Sequence, residues 1–136
     1  METDAVVREL SIKTGRREEL VNITKQVNHE IQAAGIQAGL CHLTVLHTTA
    51  AILVNEAESG LVHDLLGALD RLVPVNPDYA HPDGNAHAHI KAAVIGASKT
   101  LSIHNGRLLL GTWQSVFLIE FDGPRERKLT LQLIPA

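Results

Sequence analysis

Residues 115–121 read "SVFLIEF", a strand-length run with apolar residues on both sides: Val116 and Leu118 alternate with Phe117, Ile119 and Phe121, and Glu120 interrupts one face. A strand of that composition cannot turn either face to water. The fold must cover it twice, with the core on one side and a helix or another subunit on the other. The chain has 136 residues, the length of one domain, so 1–136 is expected to form a single unit. Aromatic residues make up only 3% of it, which leaves Leu, Val, Ile and Ala to fill the core.

The other segments fit around that strand. "AVVRELSIKT" alternates as a strand does. In "GRREELVNITKQVNHEIQAAG", Leu20, Ile23, Val27 and Ile31 recur at spacings of three and four and Gly35 supplies a stop, which predicts an amphipathic helix. "GLCHLTVLHTTAAILVNEAE" reads as a strand, a corner near "HTTA" and a second strand ending at Glu56. "SGLVHDLLGALDRLVP" predicts a second helix with Leu61, Leu65, Leu69 and Leu72 on its buried face. "NAHAHIKAAVIGAS" predicts a short third helix capped by Asn85. In "TLSIHNGRLLLG", Asn105-Gly106 joins two short strands in the manner of a type I′ hairpin. Long strands then flank "DGPR" at the end. The class is α+β, with mixed or antiparallel sheets and two to three helices.

Composition narrows the function. Few aromatic residues and a net charge of -3 provide neither stacking surface nor a broad attraction for polyanions, so nucleic acid is not an expected partner. No apolar run approaches the ~18 residues that span a bilayer, and no leader opens the chain, so no membrane partner and a cytoplasmic location are expected. Cys41 is the single cysteine, and its apolar flanks mark a buried structural thiol.

The chemistry-bearing residues lie in three places. "AHPDGNAHAH" holds three of the eight histidines. Its "HPDG" suits a type I turn that extends His81, and on the helix His87 and His89 point to nearly opposite sides, so only one of them can join His81. In "LHTTAAILVNE", His47 shares a strand face with Val45 and Leu43 and emerges from the core side. Imidazoles from His47, His81 and His89, with a carboxylate such as Glu56, form a common ligand set for Zn²⁺; the bland alternative is hydrogen-bonded core or surface histidines. In "DGPRER", Arg125 and Arg127 share a strand face and can grip a phosphate, or they are solvated edge charges. Gln114 of "GTWQ" is either a pocket residue or an edge amide.

With these segments in order, the chain strongly resembles the YjbQ family, whose members are described as secondary thiamine-phosphate synthases. The resemblance rests on "LHTTAAILVNE", "YAHPDGNAHAHIKAAVIGAS" and "GTWQSVFLIEFDGPRERKL" and runs over essentially the whole chain. The family pattern has histidines at the positions of His47 and His81, and an N-x-x-x-H matched by Asn85 and His89; His87 does not match. The resemblance implies a homotrimer and a pocket holding a divalent metal ion, zinc by ligand type or magnesium by the demands of pyrophosphate chemistry. It also implies a phosphorylated small-molecule substrate: a pyrimidine pyrophosphate is joined to a thiazole phosphate, and pyrophosphate leaves. Arg125 and Arg127 would then serve the anion, Thr48, Thr49 and Ser98 would donate hydroxyls, and Glu56 would act as ligand, orienter or base. The alternatives are metal-assisted hydrolysis or transfer on another phosphorylated compound, and a non-catalytic trimer that binds a ligand or metal.

Overall fold

The computed structural model describes residues 5–76 and 78–136. Val6–Lys13 forms β1, Glu19–Asn22 β2, Thr24–Ala33 α1, Ala38–Val45 β3 and Ala50–Glu56 β4. Ser59–Leu72 is α2 and Ala86–Ile95 α3; β5 is Ser98–His104, β6 Arg107–Leu108, β7 Gln114–Glu120 and β8 Glu126–Pro135. The strands form a five-stranded sheet ordered β1-β8-β3-β5-β6 and a three-stranded sheet ordered β2-β7-β4. Every pairing is antiparallel. The architecture is α+β, as the sequence suggests.

The two-faced strand explains the layering. Val116 and Leu118 of β7 face the larger sheet, joining Leu43, Leu129, Leu131 and the α1 residues Val27 and Ile31 in the main core. Ile119 and Phe121 face the other way, into a second cluster with Leu69 of α2 and Ala88 and Ala92 of α3. The small sheet is thus sandwiched between the large sheet and two helices. No second subunit is needed to cover β7.

Two sequence readings need correction. The helix predicted from residue 15 begins only at Thr24, and Leu20 lies in β2, paired with Ile119. Tertiary pairing to β7 overrides the local helical period there, while Ile23, Val27 and Ile31 keep it and are fully buried. Helix α2 is where expected, yet Leu69 is its one buried residue, Leu61 and Leu65 are half-buried and Leu72 is 78% exposed. Of the predicted stripe only Leu69 reaches the second cluster, where Leu66, outside the stripe, joins it.

The hairpin is as read: Asn105 and Gly106 both have positive φ, 53° and 78°, as a type I′ turn requires. Cys41 is buried, and burial pushes its thiol pKa up to about 12. No helix among the described residues is long and apolar enough to cross a membrane.

Candidate functional site

The corner between β3 and β4, the first turns of α3 and the turn between β7 and β8 meet at one open cavity of about 320 Å³. His47, Thr48 and Thr49 enter from the first, Asn85 and His89 from the second, and Asp122 and Arg125 from the third, with Arg127 added from the start of β8. An apolar cavity of about 360 Å³, floored by Ala50, Ala92, Ala93 and Gly96, shares His47, Thr48 and His89 with it. His81 lies on the far side of His89, where the two rings meet edge to face with centroids 4.8 Å apart. His81 also lies 3.5 Å from the Asp83 carboxylate.

Helix α3 has two working faces. Asn85 and His89, four residues apart, share the one toward the cavity. Asn85 occupies the N-cap position, but its side chain makes no capping bond, contrary to the sequence reading. Its amide donates to Asp122 Oδ2 at 2.8 Å instead, which leaves Oδ1 buried with no hydrogen-bond partner among the described residues. His87 and Lys91 share the opposite face. Lys91 is fully buried, and its Nζ contacts Glu18 at 2.9 Å, Asp70 of α2 at 2.5 Å and His87 Nδ1 at 3.0 Å.

The arginines differ from one another. Arg127 is 1% exposed and bonds Glu120, with Nε to Oε1 at 2.8 Å and Nη2 to Oε2, while Nη2 also donates to Thr49 Oγ1 at 2.7 Å. Burial works to raise the Glu120 pKa, but bonds from Arg127, the Asp122 N–H and the Thr14 hydroxyl outweigh it and hold the carboxyl below its ordinary value. Arg125 precedes β8 and is half exposed; its Nε and Nη2 donate to the Asp122 carbonyl and carboxylate at 2.7 and 2.9 Å. Nη1 of each guanidinium makes no hydrogen bond to the described residues. The expected pair of anion-gripping forks is thus a pair of internally neutralised ones. Glu120 and Asp122 were not among the residues singled out from sequence, although "EFDGPRER" sets two carboxylates against two guanidiniums across a Gly-Pro turn.

His47 Nε2 accepts the backbone N–H of Lys128 at 2.9 Å. Burial first, then the positive charge of Arg127, lowers its pKa, so the ring is neutral. A neutral imidazole has one ring nitrogen with a free lone pair. With Nε2 accepting, Nδ1 carries the proton and has no lone pair for an ion. Among the described residues, no three His, Cys, Asp or Glu side chains are placed to hold a metal ion. The ligand set His47, His81 and His89 therefore does not fit a metal in this arrangement.

Three other expected residues lie elsewhere. Glu56 and Gln114, paired across β4 and β7, line a separate cavity with Trp113. Ser98 opens β5, exposed and paired with Thr44.

An α+β domain of two antiparallel sheets, with histidines and neutralised arginines at a cavity beside its third helix, is the class of protein these features define. The family model for UPF0047 protein YjbQ-like matches residues 8–136, and the chain belongs to that family. It is 44% identical over 124 residues to the UPF0047 protein MJ1081 of Methanocaldococcus jannaschii, covering 90% of each chain. It is 38% identical over 131 residues to YugU of Bacillus subtilis, covering 95% of this chain and 99% of that one. Among solved structures, a YbjQ-like protein of unknown function from Sulfolobus solfataricus superposes with a TM-score of 0.94 at 38% identity, over 98% of this chain and 99% of the other.

Proposed function

We propose that the chain is an enzyme acting on a phosphorylated small molecule held in the cavity between His47, His89 and Arg125. The observation that carries this reading is the meeting of three separate segments there, bringing His47, Thr48, two guanidiniums with free Nη1 groups, and Asn85, whose buried Oδ1 has no partner among the described residues, to one lining. Donors on several sides suit phosphate oxygens, and the orphaned acceptor calls for an N–H or O–H on the same ligand. The adjoining alanine-floored cavity takes the ligand's apolar part. In the family-implied reaction, the bond from the pyrimidine methylene carbon to the pyrophosphate oxygen breaks. The bond from that carbon to the thiazole nitrogen forms, and pyrophosphate leaves with the electron pair. The donors stabilise the departing anion.

A second reading is favoured by one feature. Both arginines are already paired with carboxylates, so the lining has little net positive charge to offer a pyrophosphate and suits a monophosphate better. Transfer or hydrolysis at a phosphomonoester follows. The homotrimer implied by the resemblance belongs to both readings and is checked by sedimentation.

Calorimetry with inorganic pyrophosphate and with inorganic phosphate separates them, followed by assay of thiamine-phosphate formation by protein purified from a host lacking its own synthase. Thr48→Ala or His89→Ala should weaken the preferred anion about ten- to a hundredfold, the size of a charge-assisted hydrogen bond. Binding of neither anion, together with no product, overturns both readings.

A further inference from the structure

Glu56, Glu58, Thr112, Trp113 and Gln114 line an open cavity of about 360 Å³ that shares no residue with those around His89. It sits where β4 ends, β7 begins and α2 starts. Trp113, the single tryptophan of the chain, is 73% exposed there. The turn that displays it is braced by Gln114, whose Oε1 accepts the Gly111 N–H at 2.7 Å while its backbone N–H donates to the Gly111 carbonyl at 3.0 Å. Two carboxylates share the cavity, with different commitments. Glu58 caps α2, accepting from Gly60 and Leu61 at 2.6 and 2.9 Å, and those bonds lower its pKa. Glu56 makes no side-chain hydrogen bond or ion pair with the described residues, and no lysine, arginine or histidine lines the space.

We infer that this cavity is a binding site for an organic cation, an ammonium or guanidinium group seated against the Trp113 indole and neutralised by Glu56. The pairing is selective for physical reasons. An indole face attracts cations through its quadrupole, and the attraction grows as the cation's hydration weakens. A strongly hydrated inorganic ion gains little from the ring, whereas an alkylated ammonium or a guanidinium gains from ring and carboxylate together. The indole, left largely exposed, becomes the floor of the site. The inference is independent of the His89 cavity and stands or falls separately from it.

The lone tryptophan provides the readout. Tetramethylammonium chloride, titrated against the full chain at constant ionic strength, should change Trp113 emission saturably in the millimolar range. The same titration with 2,2-dimethylpropan-1-ol, an uncharged analogue that adds one hydroxyl to the isosteric hydrocarbon, should not. Glu56→Gln should weaken the tetramethylammonium response about tenfold, and Trp113→Leu, followed by calorimetry, by a similar factor. Sedimentation in the same buffers distinguishes two sources of the natural cation: a mass that falls as the salt is added assigns the site to a lysine or arginine of a second copy, and a constant mass assigns it to a free molecule. An unsaturable response, equal binding of the alcohol, or an unchanged Glu56→Gln variant overturns the inference.

Discussion

Replacing Glu120 by Gln asks whether Arg127 belongs to the scaffold. Arg127 is 1% exposed and Glu120 0%, so neither charge is relieved by water. Glu120 Oε1 accepts from Arg127 Nε at 2.8 Å and from the Thr14 hydroxyl at 2.7 Å, and Oε2 from the Asp122 N–H at 2.9 Å as well as from Arg127. Gln keeps the shape but turns one of those oxygens into an NH₂ that faces donors, and it removes the countercharge. Truncating one partner of a buried pair costs about 3–5 kcal/mol, a large share of the roughly 5–15 kcal/mol that holds a domain together. With a urea slope of about 1–3 kcal/mol per M, the unfolding midpoint should fall by about 2 M. Arg127→Met should cost about 3 kcal/mol, the lower end of that range, because Thr14 and Asp122 still satisfy Glu120. The double variant buries no charge and should lose about 2 kcal/mol less than the two singles together. The wild-type pair also carries a pH signature. Glu120 has a lowered folded pKa, so its contribution is complete above the unfolded value of about 4.3 and fades as pH falls through the folded value. Urea unfolding followed by circular dichroism at pH 7 and pH 3.5 measures both. Losses below about 1 kcal/mol for both single variants would refute the buried-pair account.

Burial, then Lys91 and Arg17, lowers the His87 pKa, so the folded state holds a neutral ring. Its contribution should be complete above the unfolded value of about 6.5 and decline as pH falls below it; Tm should drop between pH 7.5 and 5 in the wild type and less in His87→Asn, and equal slopes would contradict this. Elemental analysis should find whatever divalent metal the wild type carries retained in His47→Ala, because the Nε2 lone pair is committed to Lys128; metal loss there would mean that the ring turns over and ligates. A thiol reagent should leave Cys41 unmodified until denaturant is added, given a pKa of about 12 and full burial; rapid native labelling would show that β3 opens.

What the sequence made legible followed from chemistry that is local or periodic. Asn105-Gly106 declares its turn because two successive residues with positive φ need those side chains. The two-faced run 115–121 declares two covers because alternation fixes which side each residue faces. Leu20 reads as helical because the helical period extends past the true helix, and only pairing with Ile119, ninety-nine residues away, decides that it is a strand residue. The site shows the same division. His47, Thr48, Thr49, Asn85, His89, Arg125 and Arg127 meet at one cavity, whereas His81 lies beyond His89, Glu56 and Gln114 line a different cavity, and Ser98 is exposed at the start of β5. The neutralisation of both arginines was hidden, since nothing in a list of charges says which carboxylate folds back onto which guanidinium.

The helix that carries His89 shows why position alone was not enough. Steps of about 100° put His87 and His89 on opposite sides, and the structure uses both. On one side, His87 and Lys91 are enclosed by Glu18 and Asp70, so a rotation of α3 would pull a buried ammonium away from its carboxylates. On the other, Asn85 and His89 are presented to the cavity, and Asn85 is fixed by the same Asp122 that orients Arg125. The orientation of the cavity-facing residues is thus set from two sides, by the Lys91 ion pairs that do not touch the cavity and by Asp122, which lines it. A substitution at Lys91 should disturb ligand binding through the tilt of α3, while one at Thr48 should disturb it by direct contact.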